Sequence, residues 1–556
     1  MDKNLWLKNY PPSIPHEINT HTFNNVVEVF EQSCKKFSGL PAFENMGAIL
    51  TYDDLERKAT NFATYLQTKT DLKPGDKIAL QMPNILQYPI AIYGAMKAGL
   101  IIVNTNPLYT PREMEHQFND SDAKAIVIVA NFASSLQEIL PRTKIKHIIL
   151  TEIGDLMGFP KKHIVNFVLK YVKKMVPAYS LPNTICFSDT VADQGTAFKP
   201  VKIQADDTAF LQYTGGTTGV SKGAVLNHYN IVANMEQMNA WMQSGVVEGK
   251  ETIITPLPLY HIFSLTVNCM GFISKGGKNV LITNPRDIPG FIKELKKQKF
   301  TILTGVNTLF NGLLNNEEFK TVDFSHLKIT VGGAMAIQRQ VAERWKLVTN
   351  CPLTEGYGLT ETSPAASANP VLKGEIIGTI GLPLPSTEFM LADDDGVEVL
   401  RGEPGEIWIK GPQVMQGYYN RPDETAKVIT PDGWLKTGDV AIFTDDGFFK
   451  IVDRKKDMII VSGFNVYPNE VEDVVSACPG VLEVAAVGVP DDKSSEAVKI
   501  FVVKKDPNLT ETDIMKYCRE NLTGYKIPKH IEFRTELPKT NVGKILRRAL
   551  RDEVKK

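Results

Sequence analysis

Short apolar runs alternate along most of the chain with stretches in which apolar residues return every three or four positions. After a proline-rich opening, Val26 to Phe37 and Thr51 to Gln67 carry the helical spacing. In the second stretch Leu55, Ala59, Phe62 and Leu66 share one face, and Thr51 with Asp54 supplies a start like a capping box. A turn at Pro74-Gly75-Asp76 precedes KIALQMPN (77–84), predicted as a strand, and IAIYGAMKAGL (90–100), predicted as a buried helix. IIVNTNP (101–107), KAIVIV (124–129) and KHIIL (146–150) are predicted as further strands. Strands alternating with helices imply a mostly parallel sheet covered on both faces, so the expected fold class is α/β.

The rhythm changes twice. From Gly378 the strands shorten and turns multiply (GLPLPS, EVLRGEPGEIWI, GYYNRPDETA), which predicts a smaller β-rich lobe. Beyond DRKKD (453–457), VLEVAAVGV, AVKIFVV, DIMKYCRENL and HIEFR form an α+β pattern the size of one small domain. The five consecutive charges of DRKKD are expected to stand in solvent as a hinge. The expected organisation is a large N-terminal domain over 1–453, with its β-rich lobe at about 378–453. A hinge at 454–457 and a C-terminal domain over 458–556 follow.

Lys161 to Val176 is the strongly amphipathic basic segment. On a helical wheel Lys162, His163, Asn166, Lys170, Lys173 and Lys174 gather on one side, with Ile164, Val165, Val168, Val172, Met175 and Val176 opposite. Two readings fit: a surface helix packed on its own domain, or an interfacial helix with its apolar face in the lipid boundary and its lysines toward anionic headgroups.

Candidate chemistry centres on YTGGTTGVSKGA, Tyr213 to Ala224, which follows a predicted strand at Phe210 to Thr214. Glycines let backbone N–H groups approach an oxyanion, hydroxyls add donors, and Lys222 adds a positive charge. A polar surface turn has the same composition. A Walker A loop is excluded, because Lys222 stands between Ser221 and Gly223. LKITVGGAMA (327–336) and PLTEGYGLTET (352–362) are further strands ending in glycine-rich turns, as expected of a ligand lying across the carboxyl ends of neighbouring strands. His261 lies in an apolar run bracketed by prolines, where a core histidine is the ordinary reading.

Composition narrows the function classes. With 62 basic and 63 acidic residues in 556, general nucleic-acid binding is not expected. The six cysteines, at 34, 186, 269, 351, 478 and 518, form no CxxC and fit reduced thiols in a cytoplasmic protein. MDKNLWLKNYPPSIPHEI has no apolar leader core, and the most apolar stretch, Pro89 to Val103, is broken by Lys97, so neither export nor a membrane span is expected.

Taken together, the cradle, YGLTET (357–362), GWLKTGD (433–439), the DRKKD joint and PKTNVGKILRR (538–548) resemble, in order and spacing, the motifs of the acyl-adenylate-forming (AMP-binding) superfamily. The resemblance runs over nearly the whole chain. Within the superfamily, Asp432 to Lys456 looks like the fatty acyl-CoA synthetase signature, and the chain is most similar to bacterial long-chain fatty acyl-CoA synthetases. That resemblance implies an adenylation domain, a mobile C-terminal lid and two steps: a carboxylate attacks the α-phosphate of ATP, releasing pyrophosphate, and the thiol of coenzyme A then displaces AMP. ATP and coenzyme A are the implied co-substrates, and Mg2+ the implied metal.

The resemblance also implies roles by position. Thr214, Gly215, Gly216, Thr217, Thr218, Gly219 and Lys222 align with the loop for the β- and γ-phosphates, and Glu361 with the magnesium-binding acid. Gly333, Ala334 and the backbone of Glu355, Gly356, Tyr357 and Gly358 align with the adenine pocket, the Tyr357 ring stacking on the base; Thr360 belongs to the same nucleotide site. Asp439 aligns with the acid that accepts both ribose hydroxyls, and Arg454 with a further ribose contact. Lys544 aligns with the catalytic lid lysine, Lys456 with the hinge, and His261 with a histidine beside the acyl site. Val461 to Tyr467 is expected to face the coenzyme A tunnel after the lid rotates. Lys526, Lys529, Arg547, Arg548 and Arg551 either meet nucleotide phosphates there or form a solvated helix face. Leu265 stands where some relatives carry an aromatic gate.

The implied partners are small molecules, with peripheral membrane association and a homodimer both compatible. A ligase for an aryl or medium-chain acid, or for another pantetheine acceptor, is the neighbouring alternative. A non-catalytic fatty-acid binding or membrane-docking protein is the alternative of another class.

Overall fold

The computed structural model describes residues 3–214, 221–371, 376–491 and 493–554. Among these, the strands form four sheets. In the first, seven strands lie in the order Thr184–Cys186, His147–Thr151, Ala123–Val129, Lys77–Gln81, Ile101–Asn104, Thr208–Thr214 and Lys222–Asn227. All pairings are parallel except the last, which is an antiparallel hairpin. Ile78, Ala79 and Leu80 are fully buried in consecutive positions, as expected of a strand covered on both faces.

The covering helices follow from the predicted spacing. Tyr52–Lys69 is capped by Thr51, whose hydroxyl accepts from the Asp54 amide at 3.2 Å. Every residue of Gln87–Lys97 is buried, Lys97 included. Its ammonium ion-pairs with Glu31 at 2.7 Å and Glu56 at 2.9 Å, so the lysine that interrupts the apolar run is neutralised inside the fold.

The second sheet has nine strands with a parallel centre: Leu353–Gly358, Ile329–Gly332, Ile302–Gly305, Thr252–Thr255, Lys278–Leu281 and Pro41–Asn45 in spatial order. Antiparallel strands finish both edges. The short strands after Gly378 make a four-stranded antiparallel sheet from Glu388–Ala392 to Phe449–Arg454. The C-terminal sheet pairs Val481–Asp491 with Ser495–Lys504, flanked by short strands and by a parallel strand, His530–Arg534. One of its hydrophobic clusters, around Val466, Val471, Val484 and Ile500, draws only on residues from 459 onward. The fold is therefore α/β with a small C-terminal domain.

Two expectations change. Of DRKKD, only Lys455 and Lys456 are exposed, while Asp453 is 1% exposed at the end of its strand. The amphipathic segment is helical over Lys161–Phe167 and continues as a wider helical turn, Val168–Val172, but none of its residues is buried. It therefore buries no apolar stripe against its own sheet, and polar contacts tie it to its domain: Asn166 accepts from the Gly154 amide at 2.8 Å and donates to Asp155 at 3.2 Å. The six cysteines are free, Cys186 alone being exposed.

Candidate active site

The carboxyl ends of both large sheets open into one cleft of about 1510 Å³, which residues of the C-terminal domain close from the other side. Thr214 and Lys222 face each other across the hairpin that carries the predicted phosphate cradle. Gly215, Gly216, Thr217, Thr218 and Gly219 lie outside the described residues. The Lys222 ammonium meets the Glu424 carboxylate and stands 4.9 Å above the ring of Tyr418. Lys222 and Lys427 hold the half-exposed Glu424 carboxyl well below the usual carboxylate range. Tyr418 in turn donates its hydroxyl to Glu361 Oε1 at 2.7 Å. Lys222 and Glu361, far apart in sequence, are thus joined through Tyr418.

On the nucleotide side, Gly333 and Ala334 follow the strand Ile329–Gly332, and Ala334 takes a left-handed φ of 65°. At Gly358 a Cβ would lie 1.9 Å from the Pro364 carbonyl oxygen, so that position admits only glycine. Asp439 and Arg454 are cross-strand partners, with Arg454 Nε donating to Asp439 Oδ1 at 3.1 Å. The Tyr357 hydroxyl donates to Asp439 Oδ2 at 2.7 Å. Asp439 is thereby fixed from both sides, and each oxygen keeps a lone pair for a further donor. Glu355 buries its carboxyl against the Ile337 amide, and burial pushes it up to about 8. Thr360 and Glu361 sit in the short turn Thr360–Thr362 at the rim.

Lys544 enters from the C-terminal domain on a tight turn. Its amide donates to the Thr540 hydroxyl, and its carbonyl accepts from the Thr540 amide. Gly543, at φ 88°, offers its carbonyl to the Thr308 hydroxyl at 2.9 Å, and Arg286 reaches Asn541 at 3.3 Å, so the turn is docked on the large domain. Burial first, then the neighbouring Arg454, lowers the Lys544 ammonium to about 8. Burial and Lys544 lower His261 to about 4, leaving it neutral near pH 7. Its Nδ1 accepts from the Phe263 amide at 3.4 Å, which assigns the proton to Nε2. Leu265 is fully buried and places no aromatic ring at the acyl side.

Residues 30–419 match the family described as AMP-binding enzyme, and 470–544 match the AMP-binding enzyme C-terminal domain. The chain belongs to the AMP-binding enzyme family. It is 57% identical to a protein from Escherichia coli O6:H1 named long-chain-fatty-acid–CoA ligase, over 100% of this chain and 99% of the relative. It is 52% identical to one of the same name from Haemophilus influenzae, over 99% and 98%. Among solved structures, an anthranilate CoA ligase bound to anthranoyl-AMP shares the fold at a TM-score of 0.86 and 24% identity, covering 97% of this chain and 99% of that one.

In this AMP-binding enzyme Arg547 and Arg551, which follow Lys544, are both held by acids rather than standing free in solvent. Arg547 donates to Asp453 at 3.0 Å and to Glu472 at 2.8 and 2.5 Å, and it also meets Asn469. The Asn469 amide donates to the second Asp453 oxygen at 2.7 Å. Arg551 pairs with Asp457 at 2.8 Å and donates to the Lys456 carbonyl at 3.0 Å. Lys526 pairs with Glu470 and Lys529 with Asp491, while Arg548 stays half-exposed beside Asp552. Tyr418, Glu424, Thr308 and the partners of Arg547 were invisible in sequence, because each acts through a residue more than fifty positions away.

Burial raises the carboxyls of Asp453 and Glu472, and Arg547 opposes that rise. Arg547→Ala should therefore cost about 3 kcal/mol or more of stability near pH 7 by leaving two buried carboxylates uncompensated. Groups whose folded pKa is raised destabilise less as pH falls through that pKa, so the deficit should shrink in acid. Urea unfolding at pH 7.5 and 5 measures it; equal stability of variant and parent at pH 7.5 would show that Arg547 holds nothing together.

Proposed function

We propose that the chain is an ATP-dependent fatty acyl-CoA synthetase with a long-chain preference. It first forms acyl-adenylate and pyrophosphate, and then transfers the acyl group to the thiol of coenzyme A. The observation that carries this reading is the convergence of Lys222, Glu361, Asp439 and Lys544 on one cleft, with Lys544 contributed by a separate small domain. High identity to full-length relatives named long-chain-fatty-acid–CoA ligase supports the substrate class.

The geometry supports a part for each residue. Lys222 exchanges Glu424 for the terminal phosphates of ATP. Asp439, pre-set by Tyr357 and Arg454, accepts the ribose hydroxyls. The Nε2–H of neutral His261 donates to the acid, and the Lys544 ammonium sits between carboxylate and α-phosphate, lowering the repulsion between two anions. Among the described residues no three acids, histidines or cysteines gather as a metal cage. The Glu361 oxygen not held by Tyr418 suits Mg2+, which takes one or two carboxylates and otherwise keeps water and phosphate oxygens. When bound there, Mg2+ would neutralise charge on the phosphates.

For the second step the joint at 454–457 acts as the hinge, with Lys456 absorbing the backbone change. Lys544 then withdraws and Val461 to Tyr467 faces the coenzyme A arm. A long acyl tail gains about 0.8 kcal/mol per buried methylene, so an acid of this class partitions into membranes, and the reading includes work at a membrane face.

ATP-pyrophosphate exchange with oleate, octanoate and benzoate, followed by thioester assay with free coenzyme A, tests the reading. Oleate should be fastest; exchange with benzoate and none with oleate would make it an aryl ligase. Lys544→Ala should lower adenylate formation by a hundredfold or more while sparing thioester formation from supplied acyl-adenylate. Equal loss of both steps would refute the role of the lid lysine. Because the cation is the working form, kcat/KM for pyrophosphate release should fall as pH rises through about 8.

A further inference from the structure

The crossover between the strands His147–Thr151 and Thr184–Cys186 carries a helix that covers no sheet. In a parallel sheet such a helix ordinarily buries an apolar stripe against the strands. Here Phe159 is 88% exposed, and Ile164, Phe167, Tyr171, Val172 and Met175 are 50 to 65% exposed. The tip of a second element extends this patch. Lys161 donates to the Met46 carbonyl, placing the Pro41–Asn45/Ala48–Thr51 hairpin beside the helix, and Met46 and Ile49 are themselves exposed at 43% and 58%. A contiguous apolar surface of this kind on a folded protein marks an interaction site.

Charge identifies the occupant. Between 159 and 176 stand five lysines and no acid. Lys162 pairs with Asp155 at 3.6 Å and Lys170 lies over the Tyr171 ring, while Lys173 and Lys174 have no ion-pair partner among the described residues. A second copy of the chain meeting this face symmetrically would bring lysines against lysines. An anionic lipid surface instead receives the apolar side chains below its headgroups and the lysines among them. Among the described residues no helix is long and apolar enough to cross a membrane, so the contact is with one face only.

We infer that the segment 159–176, together with the tip of the 41–51 hairpin, is a docking surface for an anionic lipid bilayer. The inference rests on the membrane-face part of the proposed function and on no step of its chemistry.

Co-sedimentation with phosphatidylcholine vesicles, with and without phosphatidylglycerol, tests it. The full chain should bind the anionic vesicles at least tenfold better than the neutral ones, less so in high salt. Lys170→Gln/Lys173→Gln/Lys174→Gln and Phe167→Ser/Val172→Ser/Met175→Ser should each lower binding tenfold or more, with pyrophosphate release on soluble octanoate unchanged. Since all six positions are exposed, both variants should fold, which circular dichroism checks. No binding by the parent, or loss in only one variant, overturns the joint apolar and cationic surface. So does a dimer in analytical ultracentrifugation that the serine variant dissociates while vesicle binding stays intact. Absence of pyrophosphate release in the parent would instead refute the catalytic reading and leave the vesicle result standing.

Discussion

A single ammonium group, Lys544, has to be held in a half-buried cleft beside Arg454 and Lys456 before any phosphate is there to attract it. Desolvation and like charge both work against that placement, and its lowered pKa records the strain. What holds it is not an acid at its own tip but the backbone on either side. Before it, the Gly543 carbonyl is taken by Thr308; after it, Arg547 is locked to Asp453 and Glu472. In the proposed first step an incoming triphosphate would therefore meet a cation already in place, the reorganisation that water would demand having been completed by folding.

The same arrangement explains why Asp453, at the edge of the charged joint, is buried while Lys455 and Lys456 stand in solvent. Asp453 belongs to a strand of the large domain, and Arg547 and the Asn469 amide belong to the small one. Their hydrogen bonds cross the proposed hinge. In the proposed cycle, rotation about Lys456 would exchange these partners for others, and a buried charge network has few satisfactory arrangements. That favours two discrete lid positions over a continuum. Arg551, bonded to the Lys456 carbonyl, fixes the joint itself in the position seen.

Much of the fold was legible because local rules and tertiary outcome agree. The Thr51 cap, the buried strand Lys77–Gln81 and the glycine-ended strands appear where periodicity and turn chemistry put them. The motif positions converge on one cleft because parallel strands deliver their carboxyl ends to the same edge. What sequence could not show are the long-range partners: Glu424 for Lys222, Tyr418 for Glu361, Tyr357's hydroxyl for Asp439. A run such as DRKKD looks solvated because pairing with Arg547 and Arg551, about ninety residues away, leaves no local trace. The segment Lys161 to Val176 shows the opposite difficulty. Its amphipathic pattern is plain, but only the structure reveals that nothing among the described residues covers its apolar side.

The proposed two-step reaction needs Lys544 in the cleft for the first step and out of it for the second. A Cβ built on Gly543 lies 3.9 Å from the Thr308 Cβ, the separation that a disulfide spans; the left-handed φ of 88° strains any side chain there, so the reduced double variant, not the parent, is the reference. The most direct measurement is the product spectrum of Thr308→Cys/Gly543→Cys with Cys186→Ser, oxidised and then reduced. Locked in the present pose, the oxidised enzyme should convert fatty acid and ATP to bound acyl-adenylate and pyrophosphate but make no acyl-CoA, and reduction should restore thioester formation. Acyl-CoA formed as fast by the oxidised as by the reduced protein would contradict a lid that must move.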